Sequence, residues 1–293
     1  MVRVGIVIVN YNGGKYQNDC MKSLYEMDCT GFEVIVVDNA STDDSIARLK
    51  AEYPAVHVLE CSENEGVARG NNIGIAYCRK LNLEYTLLMN NDVELDRNML
   101  TQLLAHADEN TVTVPKIYYY SPSDTLWYAG GQFVWNKGGA QHYGLLEKDN
   151  GAYDELKNVE YASTCCMLLH NSIFDRVGMI DEKLFMYYDD ADLCVKLNDA
   201  GIAIRYVPAA RMWHKVSSST GGEHSKLCVY YQNRNQLYFM HKYKKRLRFP
   251  AYLFVLCKAA AKVVLSPVRH RNDRYIVNAY IDYLKGKMGK KVF

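Results

Sequence analysis

Three short stretches of the 293-residue chain place carboxylates beside apolar, strand-like runs. They are residues 34–38, which end in Asp38, residues 87–92, which end in Asp92, and residues 187–192, which hold three aspartates. A buried parallel strand delivers polar groups from its carboxyl end to a crevice of an α/β sheet. Each carboxylate alone could equally cap a helix. Together, they predict one site for a nucleotide, a divalent metal and a general base.

Polar residues also follow the first predicted strand, where the first strand-to-helix turn of an α/β sheet meets ligands. Asn10, Tyr11 and Asn12 occupy this place. Tyr11 could lie against a base that Asn12 hydrogen-bonds, although Asn–Gly is also a common turn pair. Asp38, at the end of the second strand, could accept a hydrogen bond from a base N–H or a ribose hydroxyl.

Residues 64–74 are rich in small and amide side chains and open a predicted helix. Such a helix start can approach a phosphate closely. The spacing matches neither the dinucleotide-binding glycine fingerprint nor the P-loop. The candidate nucleotide-binding residues of this segment are Asn64, Gly66, Arg69 and Asn72.

Hard oxygen ligands cluster after the fourth predicted strand, at Asn90, Asn91 and Asp92. They suit Mg²⁺ or Mn²⁺ that bridges phosphates, with Asn91 also a candidate nucleotide contact. His214 could be a further metal ligand, and the structural role of a lone histidine is an equal alternative.

Three acids crowd together at Asp189, Asp190 and Asp192. Like charges raise one another's pKa, so a general base could be tuned here. For Asp192 we favour the alternative of a charge that stabilises a helix N-terminus.

The elements that must position these residues alternate along residues 1–115. Strands are predicted near 3–9, 33–37, 56–59 and 85–89, and helices near 16–27, 42–52, 68–80 and 97–108. This rhythm predicts an α/β fold with a mostly parallel sheet flanked by helices. Residues 116–160, rich in Tyr and Gly, predict irregular β-structure that forms an acceptor-side wall. A helix over 191–198, a strand over 202–207 stopped by Pro208, and a mobile loop over 217–222 are then expected.

Charge divides the chain in two. Residues 1–225 hold 19 basic and 31 acidic side chains, whereas residues 226–293 hold 16 basic and 2 acidic ones. We therefore expect a catalytic domain over 1–225 and a basic helical tail over 226–293 that meets an anionic partner. The apolar segment 249–265 is short for a membrane span and carries Lys258 and Lys262, which favours a helix lying in the plane of an anionic membrane. Packing on the domain, or a homodimer contact, is the alternative.

Together the motifs resemble the family 2 glycosyltransferases of GT-A fold, most strongly their bacterial rhamnosyltransferase-like branch. The resemblance covers roughly residues 3–215. The matching pieces are residues 9–12, 36–43, 64–74, 90–92 and 185–194, and His214.

The resemblance implies that Tyr11 and Asp38 hold the nucleobase, that Asp92 is the metal-binding acid and that Asp190 is the catalytic base. His214 would contact metal or diphosphate. Two residues depart from the family pattern. Asn90 replaces the first acid of the DXD-type motif, and Asp189 replaces the usual Glu before the base.

We therefore expect a metal-dependent, inverting hexosyltransferase that uses Mg²⁺ or Mn²⁺ and a dTDP- or UDP-sugar. Its acceptor would be a glycan, lipid-linked, in surface-polysaccharide synthesis at the inner, cytoplasmic face of the cell membrane. Nine cysteines without CxxC spacing fit a reducing compartment. A sugar nucleotidyltransferase and a non-catalytic sugar-nucleotide-binding subunit are alternatives. A nucleic-acid partner is not expected, because the acidic body repels phosphate chains.

Overall fold

The computed structural model describes residues 3–215, 222, 224–247, 251–265 and 271–293. Its N-terminal half alternates strands with helices, as predicted. The elements of this half are β1 (Val4–Asn10), α1 (Gln17–Tyr25), β2 (Phe32–Asp38), α2 (Ser45–Glu52), β3 (His57–Glu60), α3 (Gly66–Lys80), β4 (Tyr85–Met89), β5 (Val93–Leu95) and α4 (Met99–Leu104).

Strands β4, β1, β2 and β3 lie side by side and run parallel. Strands β1 and β2 are rich in Val and Ile, and most of their residues are buried on both faces of the sheet. A parallel sheet covered by helices requires such burial. Helix α3 lies so close to β1 that a Cβ at Gly74 would collide with the side chain of Val7. The register pairs Asn10 with Asp38, which brings the ends of the first two strands together.

The second half extends this sheet with strands of both directions. Its elements are β6 (Thr111–Tyr119), β7 (Leu126–Tyr128), β8 (Gly131–Val134), β9 (Gly139–His142), β10 (Lys157–Val159), β11 (Cys166–His170), α5 (Ile173–Val177), α6 (Asp189–Asp199) and β12 (Ala203–His214). The strand order is β10-β12-β6-β11-β4-β1-β2-β3, with β11 antiparallel to both β4 and β6. The predicted α/β class with a mostly parallel sheet is thus confirmed, and the sheet is mixed in this half.

The prediction that Pro208 stops a strand is wrong, because β12 continues to His214. The pairing of β12 with β6 changes register between Val207 and Arg211, so the proline lies where the ladder is already interrupted. A proline is tolerated in a strand at such an irregularity, since its missing N–H removes no regular hydrogen bond. The longer strand pairs His214 with Val93 of β5, which brings the histidine beside Asp92.

Three helices follow, α7 (Lys226–Lys242), α8 (Ala251–Leu265) and α9 (Tyr275–Leu284). Helix α7 packs on the sheet domain, and its Phe239 is 1 % exposed within the main core. The ring of Phe239 stacks on Trp135 with centroids 5.8 Å apart. We therefore expect residues 226–293 to fold together with residues 1–225. The loop predicted over 217–222 lies, apart from Gly222, outside the described residues.

Part of the charge split is neutralised within the chain. Lys242 of α7 lies 2.8 Å from Asp181 and 2.6 Å from Asp192, and Lys290 lies 2.7 Å from Glu63. Arg246 pairs with Asp199. The acidic body is therefore one anionic partner of the basic C-terminal region.

Helix α8 buries one narrow face and leaves a wide apolar face exposed. Ala251, Val255 and Ala259, four residues apart, pack between α7 and α9. Among the described ranges, no helix is both long and apolar enough to span a membrane. The large exposed apolar side chains of α8 are Tyr252, Leu253, Phe254, Leu256, Val264 and Leu265.

Candidate active site

A cavity of about 470 Å³ opens at the carboxyl ends of β1 and β4, between the sheet and α7. Its volume is in the range of small-ligand sites. The structure brings nine of the predicted site residues into its wall. They are Tyr11, Asn64, Gly66, Asn90, Asn91, Asp92, Asp189, Asp190 and His214.

Asn10 does not line this cavity and instead joins three segments beneath it. Its side chain is fully buried, and its Nδ2 donates to Asp38 Oδ1 at 3.2 Å and to the hydroxyls of Ser41 and Ser45 at 3.1 Å. Its Oδ1 accepts a 2.9 Å hydrogen bond from Asn91. These contacts make Asn10 a residue that positions Asn91, and its predicted nucleotide contact stays a prediction.

Asn12 and Asp38 also lie outside the cavity wall. The Oδ1 atom of Asn12 accepts hydrogen bonds from the N–H groups of Thr42 at 2.7 Å and Asp43 at 3.3 Å. Asp38 accepts from the N–H of Ser41 at 3.1 Å and from its hydroxyl at 2.5 Å. The two side chains thus fix the loop between β2 and α2, and their predicted base contacts stay predictions.

The first N–H groups of α3 have partners within the protein, and the predicted approach of this helix start to a phosphate stays a prediction. The N–H of Val67 donates to the carbonyl oxygen of Phe185 at 2.6 Å, and the N–H of Gly66 donates to Asn64 Oδ1 at 2.9 Å. Gly66 has φ +81°, and a Cβ there would collide with the Phe185 carbonyl. The helix start therefore anchors the segment that leads to Asp189 and Asp190.

Two further candidates of this segment, Arg69 and Asn72, lie outside the cavity wall. Arg69 is exposed and pairs with Glu65 at 3.4 Å. Asn72 is buried, donates to the carbonyl oxygen of Ile180 at 2.9 Å and accepts from its N–H at 3.0 Å. These bonds tie α3 to the chain before α6, and the predicted nucleotide contact of Asn72 stays a prediction.

Asp92 and His214 form a buried polar pair at the cavity wall. Nε2 of His214 lies 3.2 Å from Oδ1 of Asp92, and the N–H of Lys215 donates to the Asp92 carbonyl at 2.8 Å. The edge of the Trp127 ring meets His214 with centroids 4.7 Å apart. Within the described residues, Nδ1 of His214 has no hydrogen-bond partner.

This pair fits a divalent cation that takes its remaining ligands from a diphosphate and water. The described part of the chain holds no group of three or more His, Cys, Asp or Glu side chains suited to a metal. Mg²⁺-type sites commonly use one or two protein ligands together with substrate phosphates. Asn90, which lines the cavity beside Asp92, supplies a neutral amide in place of a second carboxylate.

Asp189 and Asp190 begin α6 directly after two residues in the left-handed region, Tyr187 at φ 65° and Tyr188 at φ 69°. This conformation costs about 1–3 kcal/mol for residues other than glycine and persists only where the surroundings enforce it. Oδ2 of Asp190 accepts a 2.6 Å hydrogen bond from the Tyr161 hydroxyl, and Oδ1 accepts from the N–H of Ala191 at 2.7 Å.

The two carboxyls differ in how easily they ionise. Burial and the charge of Asp190 raise the pKa of Asp189 to about 7. Burial also raises the pKa of Asp190, but the hydrogen bonds from Tyr161 and Ala191 oppose this rise. Since these donors stabilise the carboxylate form, Asp190 is the stronger candidate of the two for a free base.

Asn235 of α7 holds the strained segment in place, and sequence reasoning missed it. The side chain is fully buried, and its Nδ2 donates to the carbonyl oxygens of Met186 at 2.8 Å and Tyr187 at 3.0 Å. The residue is one of several amides in a polar helix, so no sequence pattern singles it out. It acts through the backbone as a positioning residue.

Ring side chains from the Tyr- and Gly-rich region, and Tyr161 directly after it, close the other wall. Trp127, His142 and Tyr161 line the cavity, and the ring of His142 stacks on that of Tyr161 with centroids 5.7 Å apart. Nδ1 of His142 lies 2.8 Å from the Trp127 carbonyl oxygen, and burial lowers the pKa of this histidine. The composition of residues 116–160 pointed to this wall but not to these residues.

A second cavity, of about 310 Å³, adjoins the first on the side of α7 and α8. Four residues line both cavities: Tyr161, Tyr187, Asp190 and Gln232. Asp190 thus stands where a molecule bound in one cavity would meet a molecule bound in the other.

The protein thus has a mixed sheet flanked by helices and a carboxylate-lined crevice at the edge of the sheet. It belongs to glycosyl transferase family 2, whose family model matches residues 5–178. It is 28% identical over 245 residues to the low-salt glycan biosynthesis hexosyltransferase Agl10 of Haloferax volcanii, covering 80% of this chain and 74% of the relative. It is 26% identical over 253 residues to the dTDP-rhamnosyl transferase RfbF of Shigella flexneri, covering 80% and 79%. It is also 26% identical over 238 residues to an N-acetylglucosaminyl-diphospho-decaprenol L-rhamnosyltransferase of Mycobacterium tuberculosis, covering 74% and 77%.

Solved structures show the same GT-A fold. The mannosyltransferase PcManGT from Pyrobaculum calidifontis, in complex with GDP-Man and Mn²⁺, aligns with a TM-score of 0.61 at 16% identity over 97% of this chain and 88% of its own. GalNAc-T7 with UDP, GalNAc and Mn²⁺ aligns with a TM-score of 0.64 at 15% identity, covering 82% and 48%. The chain is therefore a glycosyltransferase by family and GT-A by fold, as the sequence motifs indicated.

Proposed function

We propose that this glycosyltransferase moves a hexose, such as rhamnose, from a nucleotide-diphosphate sugar to a hydroxyl of a lipid-linked glycan, with inversion at the anomeric carbon. The observation that carries the proposal is the position of Asp190 between two cavities, one at the strand ends and one under α8. A base at such a junction can reach an acceptor hydroxyl while the donor sugar lies on its other side.

The first cavity is the donor site in this proposal. Tyr11, which lines the cavity and is 46% exposed, would lie against the nucleobase. The relative RfbF is named for dTDP-rhamnose, which supports a dTDP-sugar as donor, and a UDP-sugar is the alternative. The diphosphate would lie beside Asp92 and His214.

The chemistry then needs one proton transfer and one displacement. Asp190 takes the proton from the acceptor hydroxyl as that oxygen forms a bond to the anomeric carbon. The bond from this carbon to the diphosphate oxygen breaks, and the nucleoside diphosphate leaves with the electron pair. The Tyr161 hydroxyl orients Asp190, and a positioned base of this kind contributes roughly 10²–10⁴-fold to a rate.

Asp92 and His214 would hold Mg²⁺ or Mn²⁺. When bound, such a cation neutralises the charge that develops on the leaving diphosphate. Asn90 lowers the negative charge of this site relative to a two-carboxylate motif, so the donor diphosphate must supply more of the ligand field. We therefore expect metal to bind weakly without nucleotide and much more tightly with it.

The exposed apolar face of α8 supports attachment to the inner face of a membrane. Leu253, Leu256 and Val264 are exposed on this face, and Lys244 and Lys245 precede the helix. An amphipathic helix with flanking basic residues binds anionic bilayers in the plane of the interface. Leu253→Asp with Leu256→Asp should reduce co-sedimentation with anionic vesicles, and Leu146→Asp, at a remote exposed leucine, should not. Equal sedimentation of both variants would refute the attachment.

A donor panel tests the proposed function. Purified protein is mixed with dTDP-, UDP- and GDP-sugars and Mn²⁺ in a thermal-shift assay, and the stabilising donor is then incubated with lipid-linked N-acetylglucosamine. A donor that raises the melting temperature must occupy the native state. Transfer to a product of inverted anomeric configuration, read by NMR, is the expected result. Binding without transfer would instead favour a non-catalytic subunit, and pyrophosphate release from a nucleoside triphosphate would favour a nucleotidyltransferase.

A further inference from the structure

The second cavity, which we call the α8 cavity, holds two lysines that form no ion pair among the described residues. It is the cavity of about 310 Å³ lined by Asp190, Gln232, Lys258 and Lys262. Lys258 and Lys262 are the charged residues of α8, and their spacing of four places both on one face of the helix. That face looks into the cavity, whereas the apolar face of α8 looks outward.

A third lysine adds to this charge. Lys137, in the short 3-10 turn Trp135–Lys137, is close enough to Lys258 to act on its ionisation. Burial, and then the charges of Lys262 and Lys137, lower the pKa of Lys258. Over the described ranges, none of these three lysines forms an ion pair with an acid.

Three other lysines pair with acids. Lys116, whose side chain is fully buried, pairs with Asp149 at 2.9 Å, and Lys215 pairs with Asp19 at 2.6 Å. Lys242 lies between Asp181 and Asp192. In the described part of the chain, the wall of the α8 cavity thus holds two lysines that form no ion pair, together with Asp190, and a bound anion would supply the lysines with charge-assisted contacts.

Resting on the proposed function, we propose that the α8 cavity binds a phosphoryl group of the acceptor, with Lys258 and Lys262 donating to its oxygens while the acceptor hydroxyl reaches Asp190. Ammonium groups are common phosphate ligands, and charge-assisted hydrogen bonds are the stronger ones. The volume suits a sugar with a phosphate attached. The phosphoryl group has two possible sources, the diphosphate of a lipid carrier and a phosphodiester within a glycan.

The test measures binding of geranyl diphosphate, a short isoprenyl diphosphate, by calorimetry with the donor cavity filled by saturating nucleoside diphosphate. Wild-type protein is compared with Lys258→Gln/Lys262→Gln. Both lysines are exposed on a helix surface, so the fold should persist, which the melting temperature checks. We expect the double variant to bind at least tenfold more weakly.

Lys285→Gln/Lys287→Gln is the matched control, because it removes the same charge at exposed positions that do not line the cavity. It should bind geranyl diphosphate as the wild type does. Equal weakening in both double variants, or no change in either, would overturn the proposal.

Two further probes separate the sources of the phosphoryl group. Glycerophosphoglycerol, a phosphodiester tested in the same assay, represents a glycan phosphodiester, and vesicles with one-fifth anionic lipid represent a membrane headgroup. Stronger retention of geranyl diphosphate than of glycerophosphoglycerol identifies the lipid carrier. Loss of vesicle binding alone in Lys258→Gln/Lys262→Gln would assign the lysines to the bilayer and refute the proposal.

Failure of this inference differs from failure of the proposed function. If no nucleoside diphosphate stabilises the protein, the donor site is wrong. If nucleotide binds and supports transfer while the lysine variants keep their affinity for geranyl diphosphate, only the assignment of the α8 cavity is wrong.

Discussion

The two cavities that meet at Asp190 are built in opposite ways. On the donor side, polar side chains at the strand ends satisfy one another, as Asn10 does with Asp38 and Asn91. On the α8 side, Lys258 and Lys262 face a cavity without a paired acid in the described part of the chain. Side chains hydrogen-bonded to one another hold their geometry in the absence of ligand, whereas lysines without an ion pair can be neutralised by a bound anion. The comparison suggests a donor site that is preformed and an acceptor site that needs an anion.

Asp190 should matter more to turnover than any residue of either cavity, because it serves both. Asp190→Asn keeps the shape but removes the base, and we expect kcat to fall by roughly 10³-fold. The dissociation constant of the donor should stay within about twofold. Transfer assays measure kcat and calorimetry measures the dissociation constant of the donor, both on the same preparation. Asp28→Asn, at an exposed aspartate, is the control. Near-normal transfer by Asp190→Asn would remove Asp190 from the mechanism.

His214 tests the donor side. His214→Ala removes a buried partner of Asp92, and we expect transfer to drop by about 10–100-fold. The extra thermal stabilisation that Mn²⁺ gives to nucleotide-bound protein should disappear, while that from nucleotide alone should persist. His241→Ala, at an exposed position of α7, should leave both unchanged. An unaltered Mn²⁺ effect in His214→Ala would place the cation elsewhere.

Asn235 tests how the segment before α6 is held in place. Asn235→Asp has the same shape but no amide donor, which leaves the Met186 and Tyr187 carbonyls without this partner. We expect the free energy of unfolding to fall by about 1–3 kcal/mol. We expect kcat to fall by about tenfold with an unchanged KM for the donor, because the start of α6 shifts but the strand ends do not. Asn136→Asp, at an exposed residue, is the control, and a change in donor KM alone would contradict the positioning role.

The smallest effect concerns pH. Asp189 has a pKa of about 7 in the fold and roughly 3.9 when unfolded, so the folded state binds the extra proton between these values. The stability that this proton contributes is complete below about pH 4 and is lost as the pH rises towards about 7. Asp189→Asn removes the dependence, so urea unfolding at pH 5 and pH 8 should show a larger loss for wild type than for the variant. Parallel losses would mean that Asp189 is ionised throughout.

The same two sides differ in how far the sequence predicts them. The strands that carry Asp38 and Asp92 follow from local apolar patterns, and the carboxyl ends of parallel strands must share one edge. The contacts at the start of α3 could not be predicted in this way, because the N–H of Val67 donates to the carbonyl oxygen of Phe185, which lies far along the chain. Asn235 and Lys258 were missed as parts of the site for the same reason, since their contacts depend on how α7 and α8 dock.

A crystal structure with nucleoside diphosphate and Mn²⁺ tests the division into donor and acceptor cavities most directly. We expect the base beside Tyr11, the diphosphate beside Asp92 and His214, and the β-phosphate directed towards Asp190. The α8 cavity should contain no nucleotide. A diphosphate bound between Lys258 and Lys262, with no density beside Asp92, would contradict this division.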